Sequence, residues 1–286
     1  MVLCLLLGLA ACQTGQKSVT TEGETTADGS EDSAISDLMS TDRKTEDSFL
    51  TPTEEEIIQA FDHELAGEWF EAALLYERLA AISVQPERSA FLIKAARMYY
   101  HGEMYEDIDP FFESLRENDI LPKDERYKQV IQAGGYFGLG KIYQSLLTLP
   151  EIDEIVDYRF KALALNIRSR GVLAIGKPME SAKLRMQISQ FLKTPQEIEK
   201  NHDFIWDALN RITESTIMRT LSEPQTLEVR GWLELNLIAR RSNMLPAKLE
   251  PWIDQWYQRY GEHPAAPIYA INLLEESRRI FIEPSR

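Results

Sequence analysis

Apolar positions along this chain fall into three rhythms. Met1 to Ala11 is apolar throughout, residues 13–50 carry hardly an aliphatic side chain, and from about residue 54 apolar residues return at intervals of three and four. The last rhythm is that of helices burying one face. Thr51-Pro52-Thr53 before Glu54, Glu55 and Glu56 predicts a helix start, with a capping hydroxyl and acidic residues in the first turn. Ile58, Phe61 and Leu65 are its expected apolar stripe, and Gly67 its expected end. A second helix follows in "EWFEAALLYERLA", with Trp69, Ala72, Ala73, Tyr76 and Leu79 on one face. Farther on, Ala95, Met98 and Tyr99 lead into a turn at Gly102, and Phe111, Phe112 and Leu115 follow. The last third offers Phe204, Ile205, Ala208, Leu209 and Ile212, then Val229, Trp232, Leu233 and Leu237, then Trp252, Ile253, Trp256, Tyr257 and Tyr260. Pro251 suits the first turn of that final helix, and "YGEHPAAP" ends it. Strand alternation is weak, so the fold class is all-α.

Spacing between glycines adds a repeat. Gly67, Gly102, Gly140 and Gly176 recur at helix-pair intervals with a helical pattern on both sides of each. "LAGEWFEAALLY" resembles the tetratricopeptide signature through Gly67, Trp69, Ala72 and Tyr76, while the second unit departs with Asp107 in place of the small residue. The expectation is an irregular tetratricopeptide-like helical solenoid over residues 51–286, whose core forms only between neighbouring repeats and which leaves a long face for a partner.

The ends of the chain carry different information. Met1–Ala11 is too short to span a bilayer as a mature helix and has the length and small-residue ending of a secretory signal. Leu9-Ala10-Ala11-Cys12 resembles the bacterial lipobox, which makes Cys12 the expected lipidation site and residues 1–11 the signal peptide. No Lys or Arg precedes the apolar run, so the natural start is expected a few residues upstream. Gln13 after the cysteine, by resemblance to enterobacterial lipoproteins, implies the outer membrane. Residues 13–50 hold nine acidic and three basic residues and too little apolar area to offset chain entropy. Residues 12–50 are therefore expected to be a lipidated cysteine and a disordered acidic tether, of span roughly 35 Å. It is either a spacer that lifts the domain from the membrane or a plain linker.

Composition closes several branches. The two cysteines, Cys4 and Cys12, both precede the tether, so the folded part has no disulfide, thiolate nucleophile or cysteine metal site. A net charge of −15 argues against a nucleic-acid partner. His63, His101, His202 and His263 are far apart in sequence, and His63-Glu64 lacks the second histidine of a zinc-protease motif, Gly67 standing there. Only a site assembled from distant parts of the chain could bind metal. No Gly-x-Ser-x-Gly elbow occurs. "GGYFGLGKIY" comes close to a phosphate loop from Gly135 to Lys141, but Ile142 replaces the hydroxyl residue that holds Mg²⁺. The repeat register instead assigns Gly140 to a turn, and Gly134 and Gly138 to a helix face that a neighbour approaches closely. The tryptophans read as core, and Arg240-Arg241 and Arg278-Arg279 as helix ends or, alternatively, contacts for an acidic partner. No cofactor and no catalytic residue emerge.

The carboxy-terminal third resembles a known family. Trp206 and Leu209, then Gly231-Trp232-Leu233 with Leu235, then Trp256 and Tyr260 ahead of His263-Pro264-Ala265 are similar to the amino-terminal domain of LpoA/LppC-type lipoproteins. These are outer-membrane activators of class A penicillin-binding proteins. The lipobox and tetratricopeptide-like helices agree with this, while Gly261 stands where the family usually has Pro. The resemblance implies a non-catalytic regulator of peptidoglycan synthesis, lipid-anchored at the periplasmic face, with a class A synthase as partner. Family members continue into an α/β domain of the periplasmic ligand-binding type, so this chain is expected to be a fragment or a short homologue. Alternatives are a lipoprotein scaffold for outer-membrane assembly or wall hydrolases, and an enzyme with a hidden carboxylate pair.

Overall fold

The computed structural model describes residues 51–242 and 245–275. The expected signal, Cys12, the tether and the Arg278-Arg279 pair lie outside the described residues. In chain order the helices are α1 (Glu54–Ala66), α2 (Trp69–Ile82), α3 (Glu87–His101), α4 (Tyr105–Ser114), α5 (Glu125–Gly138) and α6 (Ile142–Thr148). They continue as α7 (Tyr158–Ala174), α8 (Pro178–Ile188), α9 (Pro195–Asn210), α10 (Glu214–Ser222), α11 (Leu227–Ser242) and α12 (Leu249–Tyr260). A short π turn follows at Ala266–Ala270, and no strand occurs among the described residues. The fold is all-α and tetratricopeptide-like.

Local chemistry sets the helix starts. Thr53 caps α1 through a reciprocal box, its hydroxyl accepting from Glu56 N–H while the Glu56 carboxylate accepts from Thr53 N–H. Thr194 and Glu197 repeat that box on α9, where Pro195 occupies the first turn. Turns follow the expected register at Gly67, Gly140 and Gly176, with φ of 76°, 74° and 81°. Gly102 departs from it. Its φ is −79°, and Glu103 takes the left-handed position at φ 59°. Gly102 is needed for space instead, because a Cβ there would lie 3.0 Å from Trp69 Cβ and 2.6 Å from Met104 Cε.

The face of α1 is also not the expected one. Ile58, Phe61 and Leu65 are 50%, 48% and 69% exposed, and the buried position is Ala60. Ala72 and Ala73 of α2 are fully buried too, so small side chains line the α1–α2 seam while Ile58, Phe61 and Leu65 stay exposed.

Most consecutive helices pack on each other, and α5 also packs on both α3 and α7, so the core forms between neighbours. Three apolar clusters result. The first is centred on Tyr76, Leu79 and Met98, the second on Ile108, Ile131 and Ile167, and the third on Leu209, Trp232 and Trp256. Tyr99, Phe111, Leu115 and Ile120 pack against both of the first two, and Leu173 of α7 reaches the third. Polar seams lock the register. Ser89 Oγ donates to Asp124 at 2.6 Å and accepts from Leu121 N–H, and Arg88 pairs with Asp119 at 3.0 Å.

Candidate interaction surface

The residues that carry the resemblance converge in the third core. Trp232 of α11 and Trp256 of α12 are fully buried, and Trp206 of α9 packs half-buried against Trp232. Trp256 Nε1–H donates to Gly231 O at 2.9 Å. His263 lies edge-on to Trp232 and Trp256, with ring centroids 5.5 Å and 5.3 Å away. Its Nδ1 accepts from Ala265 N–H at 3.1 Å, which makes Nε2 the protonated nitrogen, donating to Glu228 O at 2.8 Å. Gly231 is glycine because its Cβ would sit 2.4 Å from that ring.

Burial pushes both His202 and His263 below the ordinary histidine value, so both are held neutral. The sequence separates these two histidines widely, yet the fold sets both against Trp232. Neither ring nitrogen of His263 is left for a metal, and no group of His, Cys, Asp or Glu suited to one occurs among the described residues. The cluster is a clasp that holds α9, α11 and α12 together.

From Gly135 to Lys141 the chain is the end of α5 and a turn into α6, with no strand before it, so there is no phosphate loop. Arg240 and Arg241 lie in the last turn of α11, as expected of a helix end. Arg240 donates to Leu209 O at 2.8 Å, and Arg241 pairs with Glu214 at 2.6 Å. Their charges are engaged within the fold.

An open cleft runs along the second half of the chain. One cavity of about 730 Å³ lies between α8 and the Arg211–Thr216 segment, and a second of about 1030 Å³ lies between α8 and the start of α11. Lys183 and Gln187, one helical turn apart on α8, line both. Glu228 and Pro264 line the second cavity and a third of about 400 Å³ beyond it. Burial raises the Glu228 carboxyl above its ordinary range. Side-chain amides of Gln187, Gln190 and Gln225 face the widest part, beside the apolar Met186, Val229 and Pro264. This combination of amides, one cation and one carboxyl can hydrogen-bond an extended chain while covering its apolar side chains. Sequence reading missed the cleft because its walls come from helices far apart in the chain. The only local signal was the i, i+4 pair Lys183–Gln187.

Comparison with known proteins places this architecture. The family model described as "LppC putative lipoprotein" matches residues 82–276. The chain belongs to the LppC family. Two relatives, both named penicillin-binding protein activator LpoA, show the extent of the likeness. That of Pasteurella multocida is 32% identical over 95 residues, 33% of this chain and 16% of the relative. That of Photobacterium profundum is 26% identical over 202 residues, 70% of this chain and 27% of the relative. The chain thus spans less than a third of the length of the curated LppC relatives it matches. The Escherichia coli LpoA amino-terminal domain superposes with a TM-score of 0.59 at 15% identity, covering 79% of this chain and 97% of the domain. The Haemophilus influenzae LpoA amino-terminal domain gives 0.55 at 17% identity, covering 70% and 94%. The described part of this chain therefore has the all-helical fold of those amino-terminal domains. No described helix is long and apolar enough to cross a membrane.

Proposed function

We propose that this chain is a lipoprotein that activates a class A penicillin-binding protein by direct contact, with no chemistry of its own. The observation that carries the reading is the family match over residues 82–276, together with relatives named as penicillin-binding protein activators. The residues that make the family recognisable build a core clasp, which agrees with a binding module. In this reading residues 1–11 are a signal, Cys12 carries the lipid, and residues 13–50 are a tether that sets the helical domain, residues 51–286, at a distance from the outer membrane. Two or more acyl chains on Cys12 give stable anchoring where a single chain is marginal. The cleft over α8 is the surface offered to the synthase, and contact there shifts the synthase towards its active population.

Reconstitution tests the reading. The purified protein, added to a class A synthase polymerising its lipid-linked substrate, is expected to raise the polymerisation rate and to co-sediment with the enzyme. Unchanged rate and no association would reject it. A pull-down from envelope extract that recovers assembly-machinery proteins or wall hydrolases and no synthase favours the scaffold instead. Mass spectrometry of membrane-extracted protein is expected to show acylated Cys12, and Cys12→Ala is expected to release the protein into the soluble fraction. An unmodified, soluble wild-type protein refutes the anchor.

A further inference from the structure

Two charges on the cleft walls have no partner within the fold. Glu228, in the first turn of α11, lines both the cavity of about 1030 Å³ and the one of about 400 Å³. Lys183 of α8 lines the first of these and the cavity of about 730 Å³. Both residues are half-buried, and neither side chain makes an ion pair or a hydrogen bond among the described residues. They share one cavity without pairing with each other. The other cations of the cleft are satisfied: Lys177 pairs with Glu180 at 3.5 Å, Arg211 with Asp207 at 2.8 Å, and Arg259 with Glu234 at 2.8 Å.

A helix's first turn favours an acid, which accounts for the place of Glu228 but not for its want of a cation. Burial raises its carboxyl, and nothing of opposite charge offsets that cost. The walls around the two charges differ. Near Lys183, Met179, Leu184 and Ile212 give the cavity of about 730 Å³ an apolar lining. Near Glu228, Gln187, Gln190 and Gln225 bring amides, and no aromatic ring lines this widest cavity. A sugar ring would find nothing to stack on there, whereas side-chain amides suit the N–H and C=O groups of a main chain.

We infer that the cleft takes an extended segment of the partner protein that carries a single lysine or arginine, with its cation on Glu228 and its apolar side chains over Met179, Leu184 and Ile212. The inference rests on the reading of the cleft as the partner surface and names what that surface selects. A net charge of −15 draws a basic segment in from solution and turns acidic ones away. Lys183 opposes a second basic residue farther along, so the one cation sets the register in which the segment lies.

Titration with two peptides tests it without any synthase. Fluorescein-labelled Leu-Ala-Val-Lys-Ala-Val amide, and the same peptide with norleucine for lysine, are followed by anisotropy on the full chain at about 20 mM salt, where charge is little screened. Saturable binding of the lysine peptide is expected, about tenfold tighter than that of the norleucine peptide, the worth of one charge-assisted contact. Glu228→Gln is expected to erase that preference and leave the norleucine peptide's affinity as it was. Glu262→Gln, an exposed acid near the same end, is expected to keep the preference, and Lys183→Gln to keep or widen it. No saturable binding, equal affinities in the wild type, or a preference that survives Glu228→Gln would overturn the inference. Loss of both peptides in Glu228→Gln would make the carboxyl structural and do the same. In the synthase reconstitution, association undiminished by Glu228→Gln overturns the inference and leaves the activator reading standing. No association there, beside selective peptide binding, rejects the synthase and keeps the selectivity of the cleft.

Discussion

Gly231 makes room for the His263 ring, which comes from beyond α12 and would lie 2.4 Å from a Cβ there. That ring is fixed from both sides by Glu228 O and Ala265 N–H, so it has no free direction to yield. Gly231→Ala is therefore expected to destabilise by about 2 kcal/mol, an overpacking cost, in urea unfolding. Gly261→Ala, whose Cβ would meet only Tyr257 O at 3.1 Å, is expected to cost clearly less. The same cluster sets a pH dependence. Burial holds His202 and His263 below their ordinary 6.5, so the folded chain binds fewer protons than the unfolded one as pH falls below that value. Their contribution to stability is complete above about pH 6.5 and is lost on acidification through the folded values. Glu228, raised above 4.5, acts in the opposite sense and lower in the scale. The urea midpoint is expected to drop over the interval below about pH 6.5, and the drop to shrink in His202→Gln. An unchanged midpoint across that interval would refute neutral burial.

Among the elements, α1 and α5 mark the two limits of pattern reading. The spacing of Ile58, Phe61 and Leu65 predicts a helix over the right residues but the wrong buried face, because the side of α1 turned to α2 buries the small Ala60 and leaves these three exposed. Ala60, Ala72 and Ala73 are each fully buried, and small residues let two helices approach where larger ones cannot. Just after α5, Gly140 meets a conformational need that sequence carries, the turn between helices. The spacing of Gly134 and Gly138 signals close approach but not which residues approach, since Tyr100 and Tyr105 come from other elements. The two roles separate by substitution. Gly140 has φ of 74° and no atom within 4 Å of a added Cβ, so Gly140→Ala is expected to cost about 1 kcal/mol of backbone strain alone. Gly134→Ala places its Cβ 2.5 Å from the Tyr100 ring and 3.3 Å from Ile167, and is expected to cost about 2 kcal/mol. Tyrosine fluorescence is expected to change with Gly134→Ala and not with Gly140→Ala. Equal costs for the two would deny the packing role.

Across the whole described molecule, three cores follow one another along the chain, as its repeat spacing foretold, and this order makes a statement about cooperativity. In a stack each unit owes its stability to itself and its neighbours, so damage should spread by contact and fade with distance. The first and second cores share Tyr99, Phe111, Leu115 and Ile120, a broad apolar seam. The third is centred on the tryptophan clasp and meets α7 through Leu173. The cleft over α8 is bounded by that third core, so its shape should depend on the clasp far more than on α1 to α3. Tyr76 is fully buried in the first core and donates to Glu64 at 2.8 Å, which makes it a clean place to inject damage. Truncating a buried aromatic costs about 3–5 kcal/mol, enough to open the first core while the third stays closed. Hydrogen exchange of Tyr76→Ala, read by mass spectrometry, is expected to speed up in α1 to α3, less in α5, and not in α11 and α12. Trp232→Ala is expected to give the reverse pattern and to abolish any binding at the cleft, which Tyr76→Ala should retain. Uniform acceleration along the chain in either variant would mean that the stack unfolds as one unit, and that the cleft cannot be separated from the far end of the solenoid.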